Sequence, residues 1–171
     1  MADDPEPRPT SPPSPNHTTD SPERSAEVAR SSMFQSASAA ETEEAGERLG
    51  RSLVAGDVVL LFGDLGAGKT ALVRGMARGI GADPEDVSSP TFMIVQEYTG
   101  RSATLYHVDL YRLEPPEIDD LGLEDLVSAD GIVAIEWADR WKGRPDDVIE
   151  VWLEHAGEDR RSIEVRLRAC K

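Results

Sequence analysis

The chain has 171 residues, a formal net charge of −15 and 39% hydrophobic residues, which is enough apolar material for one domain of ordinary size. So negative a charge disfavours strong direct binding of RNA or DNA, because that binding depends on Lys and Arg neutralising phosphates. The single cysteine, Cys170, excludes an internal disulfide and is typical of a reducing cytoplasm. We expect neither export nor membrane insertion, since no apolar run of about 18 residues occurs.

The N-terminal segment, residues 1–35, differs in composition from the rest of the chain. It contains seven of the twelve prolines and many Ser and Thr, and its only large apolar residues after Met1 are Val28, Met33 and Phe34. Such a segment buries too little apolar surface to offset the entropy lost on ordering. We therefore predict a disordered tail over 1–35 and a folded domain over 36–171. Its composition indicates a dispensable extension, with a docking or phosphorylated regulatory segment as the alternative.

The first elements of the folded domain are predicted to be a helix, a buried strand and a second helix. Ser38 and Glu41 have the spacing of a capping box, which would begin a helix that ends at Gly56. The run 58–62 contains no polar residue and therefore predicts a strand buried on both faces. Apolar residues then recur at helical spacing over 72–80.

The second half of the chain is predicted to contain mostly strands. One or two short helices are expected between Pro115 and Val127, where apolar residues follow a proline pair. Turn residues at 99–102 and around Gly157 predict two antiparallel hairpins, so the sheet should be mixed. The strands are expected at 91–98, 103–110, 131–137, 148–154 and 162–168.

A glycine-rich sequence lies between the first buried strand and the second helix, and it reads Gly-Asp-Leu-Gly-Ala-Gly-Lys-Thr over 63–70. This is the P-loop pattern, in which small residues let backbone N–H groups converge on phosphate oxygens and the helix N-terminus adds its positive dipole end. Lys69 is expected to reach the β- and γ-phosphates from a partly solvent-facing position, and the Thr70 hydroxyl to ligate Mg²⁺. The sequence thus predicts an α/β protein with a P-loop NTPase-like three-layer fold, a mixed central sheet and antiparallel hairpins.

A P-loop site also needs an acid at the end of a neighbouring strand, where it holds the metal or its waters. Glu136 ends an uninterrupted apolar run, whereas Asp109 follows a run that His107 interrupts. Spacing favours Glu136 without excluding Asp109, and either acid could equally be a solvated residue at a strand end. His107 is interpreted as an ordinary strand or loop residue rather than a catalyst.

Two further residues are candidates because of their neighbours. Thr91 follows the P-loop helix, where many P-loop proteins have a segment that senses the γ-phosphate, although a proline-containing turn explains it equally well. Trp137 is by default a partly buried aromatic residue, but it adjoins Glu136 and would lie near a nucleotide if Glu136 ligates the metal. No Asn-Lys-x-Asp sequence occurs, which removes the usual means of selecting guanine and favours ATP.

Four motifs, in this order and spacing, resemble the TsaE (YjeE) family: Leu61 to Thr70, Ser89-Pro90-Thr91-Phe92, Tyr106 to Leu113, and Ile135-Glu136-Trp137. The resemblance covers about residues 38–168. It implies a bacterial cytoplasmic ATPase needed for threonylcarbamoylation of the adenosine beside the anticodon of certain tRNAs. The family resemblance also implies a TsaD-type transferase and a TsaB-type companion as partners.

The resemblance further implies roles for individual residues. The phosphates of ATP would be bound by the loop residues Leu65, Gly66, Ala67, Gly68, Lys69 and Thr70. Thr70 and Glu136 would ligate Mg²⁺, and Asp109 would be a catalytic or water-positioning acid that acts with Lys69 and with Thr91 of the switch-like segment. Trp137 would lie beside the site. Either Arg161 or Arg160 would touch the nucleotide, and no motif decides between them.

The main functional hypothesis is a Mg²⁺-dependent ATPase whose hydrolysis resets or drives a partner enzyme, because the chain is too small to add an acceptor-substrate domain. Two alternatives remain. A small-molecule kinase could use the same loop, but it would need a substrate lid, and no Arg-rich lid is evident. A nucleotide-dependent latch would bind ATP with negligible turnover.

Overall fold

The computed structural model describes residues 32–83, 94–128 and 130–168. Within these ranges seven strands form a single sheet: β1 (Ser32–Ser36), β2 (Val58–Phe62), β3 (Val95–Thr99), β4 (Thr104–Asp109), β5 (Ile132–Glu136), β6 (Val148–His155) and β7 (Arg161–Arg168). The helices are α1 (Ala39–Ser52), α2 (Lys69–Gly79), α3 (Pro115–Asp119) and α4 (Leu123–Val127), with a 3₁₀ turn at Ala138–Arg140. No helix in the described ranges is long and apolar enough to cross a membrane.

The sheet is mixed, with the strand order β1-β7-β6-β2-β5-β4-β3. Strand β2 pairs in parallel with β5 and β6, and β4 pairs in parallel with β5. The pairs β3–β4, β6–β7 and β1–β7 are antiparallel, which confirms the two predicted hairpins. Because β2, β4 and β5 run in the same direction, their carboxyl ends meet at one edge of the sheet.

Helices cover both faces of the sheet, so the fold has the three predicted layers. Val59 and Leu61 of β2 face α1 and α2 within one apolar cluster. The alternate residues Val58, Leu60 and Phe62 belong to a second cluster, which includes residues of α3, α4 and the 3₁₀ turn. Burial on both faces explains why 58–62 contains no polar residue.

Helices α1 and α2 approach so closely that glycine is required where they cross. A Cβ atom added at Gly75 would lie 1.9 Å from the carbonyl oxygen of Glu43, and one added at Gly46 would lie 2.1 Å from that of Leu72. Beside this contact, Arg74 donates to Glu43 at 2.8 Å. The close packing matters for function because α2 begins at the end of the glycine-rich loop and carries Lys69 and Thr70.

The first helix begins as predicted but ends earlier. The Ser38 side chain accepts the Glu41 N–H at 3.1 Å, and the Glu41 carboxylate accepts the N–H of Ala37 at 2.8 Å. The helix ends at Ser52 and not at Gly56. The reason is local, since the Asp57 carboxylate accepts the N–H of Val54 at 2.7 Å and closes a turn there.

Strand β1 was not predicted, because residues 32–35 fall in the segment assigned to the tail. This strand pairs with β7 along the edge of the sheet, and Phe34 packs against the first apolar cluster. An open strand edge offers backbone partners that local composition does not reveal. Residues 32–35 of the predicted tail therefore belong to the sheet, and the rest of that tail, residues 1–31, lies outside the described residues.

Candidate nucleotide-binding site

The P-loop, residues 63–70, links the carboxyl end of β2 to the first turn of α2. Gly63, Gly66 and Gly68 have φ angles of 143°, 79° and 103°, a backbone region that favours glycine. At Gly63 a Cβ would also lie 2.3 Å from the carbonyl oxygen of Leu153. Such left-handed residues just before a helix form a concave nest of N–H groups, to which the first helical turn adds unpaired N–H groups of its own.

Lys69 is folded back into this loop. Its Nζ donates to the carbonyl oxygens of Gly63 at 2.7 Å and Asp64 at 2.9 Å, and it lies 3.9 Å from the centre of the Trp137 ring. The residue is 4% exposed, so the expected partly solvent-facing position is wrong. The two loop carbonyls and the aromatic face satisfy the ammonium group in its buried position. Burial lowers the pKa of Lys69, against the opposing effect of four acids: Glu136, Asp109, Asp139 and Asp64.

Trp137 owes its position to an unusual backbone conformation. It follows β5 with a φ of 58°, in the left-handed region that a bulky residue seldom adopts. The turn places its ring over Lys69 and 4.8 Å from the ring of Tyr111. Backbone strain of this kind costs about 1–3 kcal/mol and tends to occur at functional sites. The structure thus brings Trp137 beside the P-loop.

The two candidate acids end adjacent parallel strands, and Asp109 is paired directly with Glu136 in the β4–β5 register. The Thr70 hydroxyl donates to Oε1 of Glu136 at 2.8 Å, and Glu136 is 3% exposed. Oδ1 of Asp109 accepts the backbone N–H of Tyr111 at 3.0 Å, which fixes that carboxylate at the start of the following turn. Both acids therefore lie at the same sheet edge as the P-loop.

One buried residue contacts Glu136 although the sequence analysis gave it no role. Nε2 of His107 lies 2.9 Å from Oε1 of Glu136, and His107 is completely buried. We call His107, Asp109 and Glu136 the acidic edge. The alternation of side chains along β4 could have indicated this role. It places His107 on the same buried face as Leu105, where a polar residue is unexpected.

The groups at the site fit a magnesium nucleotide. A hydroxyl and carboxylates are the hard oxygen ligands that Mg²⁺ prefers, while N–H groups and an ammonium suit phosphate oxygens. Because Thr70 directs its hydroxyl hydrogen at Glu136, the oxygen lone pairs remain available to a cation. The described residues contain no cluster of three or more His, Cys, Asp or Glu side chains suited to a metal. Such a cluster is unnecessary here, since Mg²⁺ at phosphate sites keeps waters and uses one or two protein ligands.

Of the two arginine candidates, Arg161 is the one beside the P-loop. A Cβ added at Gly68 would lie 3.1 Å from both Cδ and Nε of Arg161. Nη1 of Arg161 donates to the carbonyl oxygen of Asp159 at 2.8 Å, while its Nε is buried without a hydrogen-bond partner in the part of the chain described. Arg160 is exposed in the preceding turn, where its carbonyl accepts the N–H of Ala156.

The remaining predicted positions divide into two groups. Leu65 is 69% exposed at the tip of the P-loop, and Ala67 is buried beneath it. Thr91 and its segment Ser89-Pro90-Thr91-Phe92 lie outside the described residues, so the role predicted for Thr91 stays a prediction.

A glycine-rich loop between a buried parallel strand and a helix, with acids on the neighbouring strand ends, defines a P-loop NTPase-like protein. Sequence comparison is more specific. Residues 36–163 match the model of the family "Threonylcarbamoyl adenosine biosynthesis protein TsaE", and the chain belongs to that family. This confirms the resemblance found in the four sequence motifs.

Individual relatives agree with the family match. A tRNA threonylcarbamoyladenosine biosynthesis protein TsaE from a Nostoc species is 46% identical over 126 residues, which cover 71% of this chain and 77% of the relative. The protein of the same name from Treponema pallidum is 40% identical over 132 residues, with coverages of 76% and 96%. The crystal structure of Bacillus subtilis YdiB superposes with a TM-score of 0.68 at 28% identity, over 82% of this chain and 87% of that one.

Proposed function

We propose that this chain binds ATP with Mg²⁺ and hydrolyses it, as an accessory protein in the biosynthesis of threonylcarbamoyladenosine on tRNA. The observation that carries the proposal is the convergence of Lys69 and Thr70, from the start of α2, with Glu136, from the end of β5, at the mouth of one P-loop. Family membership and the names of the relatives support the pathway. ATP is favoured over GTP because the chain has no Asn-Lys-x-Asp sequence.

The residues of the P-loop would bind the phosphates. Backbone N–H groups of Leu65 to Thr70 would donate to phosphate oxygens, as their left-handed glycines and helix start favour. Lys69 would leave its two carbonyl partners and bind the β- and γ-phosphates. Hydrogen bonds to these charged acceptors are stronger than those to neutral carbonyls. Trp137 and Arg161 would contact the nucleotide from either side of the loop.

The acidic edge would organise the metal and the attacking water. Thr70 and Glu136 would hold Mg²⁺, which when bound would neutralise phosphate charge. Asp109 would accept a hydrogen bond from the attacking water and orient it, and the backbone N–H of Tyr111 holds the carboxylate in place through Oδ1. Thr91 is proposed to act with Lys69 on the terminal phosphate.

We further propose that a TsaD-type transferase with a TsaB-type companion receives the free energy of hydrolysis, and that the chain works in the cytoplasm. With a net charge of −15, the chain would reach tRNA through such partners rather than by strong direct binding. The long exposed side chain of Leu65 at the loop tip is compatible with a partner covering the site.

The test follows the γ-phosphate of labelled ATP with and without the two partner proteins, using Lys69→Met as the inactive control. Inorganic phosphate released faster with the partners supports the proposal. ATP bound without phosphate release under either condition identifies a latch instead. Label found on a small-molecule acceptor identifies a kinase.

A further inference from the structure

The strongest feature that the proposed function leaves unused is the buried pair of His107 and Glu136. His107 is fully buried, Glu136 is 3% exposed, and Nε2 lies 2.9 Å from Oε1. We infer that His107 is a positioning residue, which holds the Glu136 carboxylate in the orientation that Thr70 and Mg²⁺ require. This inference rests on the proposed function, because it concerns the metal side of the same site.

The strand register makes the contact possible. His107 is paired across β4 and β5 with Ala134, so Glu136 is its diagonal neighbour two residues further along β5. Diagonal neighbours on one face of a sheet lie within reach of long or aromatic side chains. His107 thus meets Glu136 because the register of β4 and β5 places the two residues diagonally on one face of the sheet.

Oε1 of Glu136 accepts two hydrogen bonds, and these determine where the hydrogens lie. A carboxylate oxygen accepts, so Nε2 of His107 must carry the hydrogen that it shares with Glu136. The Thr70 hydroxyl donates to the same oxygen at 2.8 Å. Two donors on Oε1 fix the plane of the carboxylate, and Oε2 is left to face the metal or its waters.

A purely structural role explains the pair poorly. Buried polar pairs are weak contributors to stability, since apolar residues of similar volume often replace them without loss. Nδ1 of His107 is buried and has no hydrogen-bond partner among the described residues, which is a further cost. By contrast, hydrogen bonds to metal-binding carboxylates usually set their orientation, and losing one lowers metal affinity roughly 10–100-fold.

The geometry of histidine supplies a matched pair of variants. In His107→Gln the side-chain amide reaches about as far as Nε2 and can still donate to Glu136. In His107→Asn the amide is one carbon shorter, at about the place of Nδ1, and cannot. Both variants are neutral and polar, and both lack the imidazole. A difference in affinity between them therefore reports the hydrogen bond to Glu136. Tyr98→Phe is the control, because it removes a hydroxyl that donates to Gln96 from a ring whose centre lies 6.3 Å from that of His107.

The experiment measures by calorimetry how tightly each full-length variant binds a non-hydrolysable ATP analogue, first with Mg²⁺ and then with EDTA. We expect His107→Asn to lose about tenfold in affinity with Mg²⁺ and little with EDTA. His107→Gln and Tyr98→Phe should stay within about twofold of the wild type under both conditions. If His107→Asn does not fold, His107→Met provides the variant without a donor.

Three results would overturn the inference. Equal losses with Mg²⁺ and EDTA would show a structural role only, and equal losses in the Gln and Asn variants would show that donation to Glu136 is irrelevant. Wild-type affinity in the Asn variant would show that Glu136 needs no such support. A wild-type protein whose affinity does not respond to Mg²⁺ would instead refute the proposed metal site itself, and this inference with it.

Discussion

The P-loop and the acidic edge serve one site but are built in opposite ways. The P-loop is a run of consecutive residues whose shape depends on three left-handed glycines and whose donors are mostly backbone groups. The acidic edge is assembled from side chains of two strands, in which His107 and Glu136 are 29 positions apart, and Glu136 meets Thr70 across 66 positions. Adjacent residues therefore supply the groups of the first region, whereas the second exists only once β4 and β5 have paired.

The largest effect is expected where the P-loop helix rests on α1. In Gly75→Ala the new methyl group would lie 1.9 Å from the Glu43 carbonyl oxygen, so the helices must separate. Overpacking of this kind costs about 3 kcal/mol, and we expect a fall in melting temperature of roughly 10 °C, measured by calorimetry. Glu44→Ala, a change at an exposed position of α1, is the control. An equal fall in both variants would contradict the close-packing explanation.

Next in size is the loss of charge in the P-loop. Lys69→Met keeps the side-chain stem but removes the ammonium group, and we expect ATP affinity to fall about 100-fold, or ~2.7 kcal/mol, because charge-assisted contacts to phosphate are lost. The melting temperature should change little, since burial already lowers the pKa of Lys69 and makes its charge costly in the ligand-free protein. An unchanged ATP affinity in Lys69→Met would contradict the assignment of the P-loop as the phosphate-binding site.

The two acids of the acidic edge should separate binding from hydrolysis. Glu136→Gln is expected to weaken Mg²⁺-dependent ATP binding about tenfold, whereas Asp109→Asn should retain affinity and lose partner-stimulated turnover. Titration with Mg²⁺ and ATP, followed by phosphate release, measures both effects. The opposite pattern would make Asp109 the metal-binding acid. No effect from either substitution would leave both as ordinary residues at strand ends.

The smallest effect concerns the arginine at the start of β7. Arg161→Met removes a guanidinium group that lies against Gly68 of the P-loop, and we expect a threefold to tenfold loss of ATP affinity, about 1 kcal/mol. Arg160→Met is the matched control, because Arg160 is exposed in the adjacent turn. Equal affinities of the two variants would show that proximity to Gly68 carries no binding energy.

Much of the fold follows from local patterns. The mixed three-layer architecture was predicted from the apolar runs at β2 and β5, the helical spacing of α2 and the turn residues of both hairpins. This was possible because side-chain periodicity reflects which faces are buried. Strand β1 escaped prediction because its stability comes from the edge of β7, more than 120 residues away in sequence. The end of α1 was misplaced because the Asp57 side chain accepts the N–H of Val54 and closes a turn over 54–57.

The sequence by itself determined the P-loop, since its glycines, Lys69 and Thr70 are adjacent and their backbone conformation is a local property. It also placed Asp109 and Glu136 at strand ends without showing which groups they would meet. Only the tertiary structure decided that Glu136 accepts hydrogen bonds from both Thr70 and His107. It also decided that Arg161 rather than Arg160 reaches the loop, and that Lys69 is buried beneath Trp137. These contacts depend on strand order and register, which join residues that no short sequence pattern relates.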